Sequence, residues 1–425
     1  MVNRTVQPEY SLPNSIEIPI PNKYHTSDGR EVLWLPIGTQ DIVRITLQFP
    51  AGTKYQKKLL QASSTLGLMS EGTALYNAQD IAEKLDYFGS HIDYSIDRDH
   101  ASISAFCLRK YANETLNVLK QIVLNPAYDE QEFETYRQKR KNSLTIEKRK
   151  VMYVAREQFI ASLYGQGSVY GSYADAADYD QLEVADFREF HRERYLGKGA
   201  LIFVSGMVDE ALVNHIATEL DSVIRSNQAD GCTVDLNSLP SAENIYLEKD
   251  DAVQSAIRMG RVLFARNHPD YSGMHVLATI LGGYFGSRLM ANIREDKGYT
   301  YGIFASLVTM QESGYLTIGT EVGCAVTNDT VSEIVKEIEQ LRRDKVDNEE
   351  LSLVKNYLSG EMLRMLDGPF SIVDAILDLY QSNLPISFIA EHFDKIKSIT
   401  SDEILRLAQA YLDPKDITEV IVGKR

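Results

Sequence analysis

The chain has 425 residues, of which 44% are hydrophobic and 24% are charged, as is usual for a folded globular protein. Its 44 Lys and Arg residues against 60 Asp and Glu residues give a net charge of −16, which argues against nucleic acid as a partner because phosphate binding needs a basic surface. No apolar run approaches the roughly 18–20 residues that a membrane-spanning helix requires, so we expect no membrane partner either.

The cysteines and the N-terminal sequence favour a reducing compartment. Cys107, Cys232 and Cys324 lie far apart and form no C-x-x-C pair, so they define no disulfide framework. Residues 1–24 contain neither the apolar stretch of a secretory signal nor an Arg-rich amphipathic transit segment. We therefore expect a cytoplasmic protein.

Segments with the periodicity of strands and of helices follow one another in the first half of the chain. In Ile42–Phe49, apolar residues alternate with polar ones such as Arg44, as in a strand with one buried face, and Ala101–Leu108 alternates in the same way. Residues 132–150 then run with helical spacing and no internal proline. Because some strands follow one another without an intervening helix, the pattern predicts antiparallel pairing and an α+β fold.

The second half repeats the first at a spacing of about 215 residues. The acidic start of a long helix at residues 129–133 (DEQEF) returns at residues 347–351 (DNEEL). The sequence thus predicts two homologous halves, each an antiparallel sheet packed with helices. We expect an N-terminal domain over residues 1–228, a polar linker over 229–241 and a C-terminal domain over 242–425.

The histidines and glycines provide no familiar catalytic motif. No two of the eight histidines lie three to five residues apart, so H-E-x-x-H and H-x-x-E-H are both absent. We interpret these isolated histidines as hydrogen-bonded in the core or solvated. The glycine-rich residues 282–287 fit no phosphate-binding pattern, and G-x-S-x-G is missing, so neither nucleotide binding nor serine hydrolysis is supported.

Residues 282–308 are the most informative stretch. They predict a helix over residues 288–297, a stop at Gly298 in the left-handed conformation, and a strand from residue 299. Arg294 would then lie in the last helical turn and Tyr301 on the strand that follows. A guanidinium and a phenol that point into one space can hydrogen-bond a peptide carbonyl and stabilise an oxyanion. The alternative is a solvated arginine and a core tyrosine.

The pattern G-G-x-x-x-S-R-L…I-R-E-x-K-G-x-x-Y over residues 282–301 resembles the C-terminal half of the insulinase/pitrilysin metallopeptidases, the inverzincins, which include the processing-peptidase subunits. The two halves and the early Leu68-x-x-Glu71-Gly72-Thr73 element extend the resemblance over nearly the whole chain. The resemblance implies that Arg294 and Tyr301 bind substrate near the scissile bond.

The sequence departs from this family at the zinc site. Active members carry H-x-x-E-H on a first-half helix, shortly before a Gly-Thr pair. Alignment on that pair, here at residues 72–73, puts Ser63 and Gly67 in place of the two histidines and Leu66 in place of the glutamate base. Glycine and leucine offer no ligand atom, and neutral serine is a poor zinc ligand.

The third family ligand is also missing. It is a glutamate on the later long helix, and its position falls at Ser143 by counting or at Arg140 by alignment on Glu147. Without a metal, nothing lowers the pKa of a bound water towards the neutral range. We therefore expect no zinc and no other cofactor in this chain.

The resemblance and the departure together leave three hypotheses. The first is a non-catalytic, substrate-binding subunit that completes the active site of a homologous, zinc-bearing H-x-x-E-H partner acting on unfolded peptides. The second is a catalytically inert structural or scaffold protein, which would form a homodimer or another assembly and keep Arg294 and Tyr301 as relics. The third is an active peptidase with an unfamiliar site.

Overall fold

The computed structural model describes residues 13–224 and 238–424, so most of the expected linker, residues 229–237, lies outside the described residues. The strands are β1 (Asn22–His25), β2 (Glu31–Pro36), β3 (Ile42–Phe49), β4 (His91–Ile96), β5 (Ala101–Leu108), β6 (Leu201–Gly206), β7 (Asn244–Glu248), β8 (Gln254–Leu263), β9 (Ile303–Thr309), β10 (Gly314–Gly323) and β11 (Thr418–Gly423).

The α-helices of the first half are α1 (Gln61–Met69), α2 (Ala78–Phe88), α3 (Ala112–Leu124), α4 (Glu130–Glu147), α5 (Val151–Tyr164), α6 (Val184–Phe190) and α7 (Glu210–Glu219). Those of the second half are α8 (Tyr271–Ala278), α9 (Thr327–Arg343), α10 (Asn348–Met365), α11 (Pro369–Gln381), α12 (Phe388–Ser398) and α13 (Ser401–Tyr411). Wider π-helical turns occupy His191–Leu196, Thr279–Gly283 and Met290–Asp296. None of the described helices is long and apolar enough to span a bilayer.

The two sheets have matching strand orders. The first runs β1-β2-β6-β3-β5-β4 and the second runs β7-β11-β8-β10-β9. In each sheet one pair of strands is parallel, β2 with β6 and β7 with β11, and the remaining neighbours are antiparallel. With β1 set aside, the second order reproduces the first strand for strand. The prediction of an α+β fold with two homologous, mainly antiparallel halves is confirmed.

The repeated acidic segments are helix starts. Asp129 accepts hydrogen bonds from two backbone N–H groups in the first turn of α4, and Asp347 accepts one from Glu350 in the first turn of α10. An N-terminal carboxylate satisfies backbone donors that the helix leaves unpaired and interacts favourably with the helix dipole. The two long helices therefore begin where the sequence places them, within two residues.

Both predicted strands of the first half form, but β3 is buried on both faces. Val43, Ile45 and Leu47 lie in the core beneath the helices of the first half, as expected. Arg44, on the opposite face, is only 8% exposed. Its Nη1 lies 2.6 Å from a carboxylate oxygen of Asp374 on α11. The expectation of one solvated face is wrong because a helix from the second half covers it.

The two halves exchange a helix. The first sheet packs Leu33, Leu35 and Phe203 against Val373, Ile376 and Leu377 of α11. The second sheet packs Ala256, Val420 and Val422 against Ala155, Phe159 and Leu163 of α5. The inner face of each sheet is therefore covered by a helix of the other half. These two helices, α5 and α11, directly follow α4 and α10, which are equivalent in the two halves.

Candidate functional site

The three α1 residues at the expected zinc position offer no ligand set. Ser63 donates its hydroxyl to the carbonyl of Leu60 over 3.2 Å. Leu66 is buried in the core of the first half. A Cβ placed on Gly67 would lie 2.7 Å from the phenol oxygen of Tyr136, so no side chain fits there without movement. Tyr136 therefore fills the space in front of Gly67, the residue that the alignment pairs with the second histidine.

Tyr136 lies on α4, which packs beside α1, and its side chain is the feature that sequence reasoning missed. The residue is 8% exposed, and burial raises the pKa of its phenol. The guanidinium of Arg140, one turn later, lies 5.1 Å from the centroid of its ring. Ser143, the other candidate for the third ligand, is exposed and donates to the carbonyl of Lys139 over 3.0 Å. Neither candidate for the third-ligand position is therefore a carboxylate, and the phenol of Tyr136 lies one turn before Arg140.

These residues do not fit zinc. Tetrahedral zinc sites are built from imidazole, thiolate and carboxylate ligands, and α1 contributes a serine, a leucine and a glycine. The aromatic side chain against Gly67 also removes the room that a restored ligand would need. Over residues 13–224 and 238–424, no group of three or more His, Cys, Asp and Glu residues is placed to hold a metal ion.

A cavity of about 340 Å³ lies next to Ser63. Ile96 at the end of β4, Arg98 and Tyr173 also line it. Because β4 is the last strand of the first sheet, one side of its backbone faces away from the sheet. An extended peptide can add to such an edge by backbone hydrogen bonds and place side chains in a neighbouring cavity.

Arg294 lies in the π-helical turns that end the predicted helix. Its guanidinium carbon is 4.4 Å from the centroid of the Phe285 ring, and Nη1 is 3.7 Å from the carboxylate of Glu295. Gly298 follows with a φ of 66°, which is the left-handed conformation expected of a helix stop. The backbone N–H of Tyr299 then bonds to the carbonyl of Ile293 over 3.0 Å, which closes the helix end.

Tyr301 does not lie on a strand, so that part of the prediction is wrong. β9 begins two residues later at Ile303, because the Thr300 hydroxyl bonds to the N–H of Gly302 and to the carbonyl of Glu321 and so bends the chain. The Tyr301 side chain is consequently 95% exposed. A core role for Tyr301, which was the alternative interpretation, is excluded.

A buried polar network joins the two halves. Nζ of Lys54 lies 2.8 Å from Oδ1 of Asp99 and 2.9 Å from Oε1 of Gln311. Tyr170 donates to the same Asp99 carboxylate, and so does the backbone N–H of Gln311. Burial alone would lower the pKa of Lys54, but the hydrogen bond and the charge of Asp99 raise it overall. Because the network contains residues of both halves, it stabilises the contact between them.

Two of the histidines form a pair that their sequence positions do not reveal. Nδ1 of His275 lies 3.1 Å from Nε2 of His392, whose Nδ1 lies 2.7 Å from the hydroxyl of Ser272. Burial lowers the pKa of His275 to about 4, and burial together with His275 lowers that of His392 to about 3. Both rings are therefore neutral near pH 7, in agreement with the interpretation that such histidines are hydrogen-bonded core residues.

Comparisons with known proteins agree with this geometry. Residues 38–172 match the family model described as insulinase (peptidase family M16), and residues 181–358 match the model described as peptidase M16 inactive domain. The uncharacterized zinc protease YmxG of Bacillus subtilis is 23% identical over 304 residues, which cover 70% of this chain and 72% of the relative. The non-peptidase homolog YmxG of Helicobacter pylori is 19% identical over 365 residues, which cover 84% and 83%.

Among solved structures, the peptidase M16 inactive domain from Pseudomonas fluorescens has a TM-score of 0.87 at 20% identity and covers 95% of this chain and 98% of its own. At that identity the likeness establishes the fold. The models of one family match consecutive stretches of the sequence, and the duplicated fold agrees with them. The chain therefore belongs to the insulinase family of peptidases, family M16.

Proposed function

We propose that the chain is a non-catalytic, substrate-binding subunit of a zinc metallopeptidase that acts on unfolded peptides. A homologous partner with an H-x-x-E-H motif supplies the zinc ion and the general base. This chain supplies Arg294, which orients the carbonyl of the scissile peptide bond, and Tyr301, whose hydroxyl donates to the oxygen that gains negative charge. The exposed phenol of Tyr301 is the observation that carries the proposal.

The exposure of Tyr301 matters because it leaves the phenol accessible to another molecule. At 95% exposure the side chain has almost no packing within this chain that would prevent its hydroxyl from approaching a bound peptide. Arg294, in contrast, is held against Phe285, and a held guanidinium loses less entropy when it binds a carbonyl.

The residues aligned with the family's zinc motif support a division of roles between two subunits. Gly67 offers no ligand and Tyr136 packs against it, so under this proposal the metal comes from another molecule. A second copy of this chain carries the same substitutions and brings no metal either. The proposal therefore requires a heterodimer, whereas a homodimer belongs to the alternative function.

That alternative is a structural or scaffold protein that retains the fold without chemistry. The loop position of Tyr301 favours it, since catalytic groups are positioned best on helices and strands. Under this alternative, Arg294 and Tyr301 are relics, and their substitution leaves function unchanged.

The test is peptide cleavage by a purified H-x-x-E-H homologue from the same genome, with and without this chain. We expect the chain to raise the rate, and we expect Tyr301→Phe and Arg294→Ala to remove most of the gain. Loss of one oxyanion donor costs about a hundredfold in kcat. No gain with any such homologue, or equal gains from all variants, would favour the scaffold.

Matched variants separate specific effects from general ones. Tyr87→Phe changes another exposed tyrosine, in the first half, and leaves the proposed site intact. Arg343→Ala removes an exposed arginine that, like Arg294, is paired with the next residue. Both controls should preserve the gain in cleavage.

A further inference from the structure

Arg258 is a buried cation on the inner face of the second sheet. It lies in the middle of β8 and is 9% exposed. Its Nη2 lies 3.2 Å from the sulfur of Met152 on α5, and its guanidinium carbon is 5.1 Å from the centroid of the Phe304 ring on β9. A Cβ on Gly319 would come within 2.6 Å of Nη1, so this glycine makes room for the guanidinium.

Among the described residues, Arg258 has no carboxylate within ion-pair distance. Seven arginines of the described residues have a buried side-chain nitrogen without a hydrogen-bond partner, and Arg258 is one of them through its Nε. The other six each form an ion pair with a carboxylate: Arg44, Arg137, Arg261, Arg266, Arg288 and Arg342. Within residues 13–224 and 238–424, Arg258 has only a thioether and an aromatic ring. Burial of an unpaired charge is costly, so proteins rarely keep one without a use.

A second cation lies nearby, because Arg156 is one helical turn after Met152 on α5 and Met152 contacts Arg258. Arg156 is exposed. Burial is the main cause that lowers the pKa of Arg258, and the positive charge of Arg156 is the second. The negative charge of Glu321 raises the pKa of Arg258, but it is the weakest of the causes. One buried and one exposed guanidinium group that repel each other form a position that attracts an anion.

Tyr315 on β10 packs against the same helix, with its ring centroid 6.2 Å from that of Phe159 on α5. Burial raises the pKa of the Tyr315 phenol, and the positive charges of Arg98, Arg258 and Arg156 oppose that rise. Tyr315 and Arg98 also line a cavity of about 210 Å³ between the two halves. Nη1 of Arg98 is anchored by the carbonyl of Ser172 at 3.1 Å.

We propose that Arg258 and Arg156, with the Tyr315 hydroxyl, form an anion site on the inner face of the second sheet, and that its ligand is a carboxylate of a bound peptide. A planar guanidinium pairs with a carboxylate through two parallel hydrogen bonds, which thioether and aromatic neighbours cannot replace. The inference rests on the proposed function, because it is the peptide that brings the carboxylate. It adds a determinant of which peptides bind.

Binding of matched peptides to the full chain tests the site. One labelled, unstructured peptide has Glu residues and a free C-terminus, and its counterpart has Gln residues and a C-terminal amide. We expect fluorescence anisotropy to show about tenfold tighter binding of the carboxylate peptide, as for an interaction of about 1.4 kcal/mol. Arg258→Gln should abolish the preference. Arg261→Gln, which removes a charge from the opposite face of β8, should retain it.

Further arms distinguish the sources of the anion and the role of the arginine. Inorganic phosphate at millimolar concentration should not displace the peptide; full displacement, with no carboxylate preference, would assign the site to free phosphate and overturn the proposal. Arg258→Met should keep or raise Tm, because it removes an unpaired buried charge. A lower Tm with an unchanged preference would make Arg258 structural. Equal binding of both peptides refutes this site alone, whereas no binding of either peptide refutes the proposed function as well.

Discussion

The contact between Gly67 and Tyr136 predicts that alanine at position 67 has opposite effects in two backgrounds. A Cβ there lies 2.7 Å from Oη, 2.8 Å from Cε2 and 3.0 Å from Cζ of Tyr136, whereas non-bonded carbons pack at about 3.5–4.0 Å. Such overpacking costs about 1–3 kcal/mol. Replacement of glycine by alanine inside a helix otherwise gains about 1 kcal/mol. Gly67→Ala should therefore destabilise the natural chain by up to about 2 kcal/mol.

In the Tyr136→Ala background the steric cost disappears, and Gly67→Ala should stabilise by about 1 kcal/mol. The difference between the two effects, about 1–3 kcal/mol, is the coupling between the residues. Urea unfolding followed by circular dichroism measures all four variants. Gly360→Ala in α10 is the matched control, since nothing lies within 4 Å of its Cβ, and it should stabilise in both backgrounds. An identical effect of Gly67→Ala in both backgrounds would show that the tyrosine does not fill the position.

Two further predictions concern buried polar groups. Lys54→Met should lower the free energy of unfolding by about 3–5 kcal/mol, because it leaves the buried Asp99 carboxylate without its cation. The double variant with Asp99→Asn should recover part of the loss in thermal unfolding, and equal losses would refute the pairing. The pKa values of about 4 for His275 and about 3 for His392 lie below the unfolded value of 6.5. Between pH 6.5 and pH 3–4 the unfolded chain therefore binds more protons than the folded chain. The contribution of the two neutral histidines to the free energy of unfolding is fully present above pH 6.5. Below that pH it should fall by up to about 1.4 kcal/mol per pH unit for each histidine. His392→Asn should reduce this slope between pH 7 and 5 in urea titrations, and an unchanged slope would contradict the assignment.

Local patterns predicted the regular elements well, for identifiable reasons. The alternation of β3 and the acidic start of α4 are encoded within a few neighbouring residues, and both elements form as expected. The strand at Tyr301 failed because a single hydroxyl, that of Thr300, bonds to the backbone and bends the chain. Side-chain hydrogen bonds of this kind compete with strand pairing without altering the hydrophobic pattern.

The features of the site that were missed depend on contacts between distant segments. Gly67 and Tyr136 lie on different helices, and each is unremarkable in its own segment. The polar face of β3 is covered by α11, and Arg258 faces α5, so both environments come from the other half. The alignment with the zinc motif directed attention to α1 but could not predict which side chain packs against Gly67. That side chain became visible only when the helices were packed together.

The exchange of α5 and α11 bears on the origin of the duplication. One half on its own would expose the apolar inner face of its sheet. Its α5 or α11 would also have no sheet to pack against. Two separate copies could bury both sheets by exchanging these helices, and such domain swapping is a low-cost route to a symmetric dimer. The present polypeptide is thus equivalent to such a swapped dimer joined end to end. Because the two halves are joined in one polypeptide, each can diverge in sequence while it remains in contact with the other.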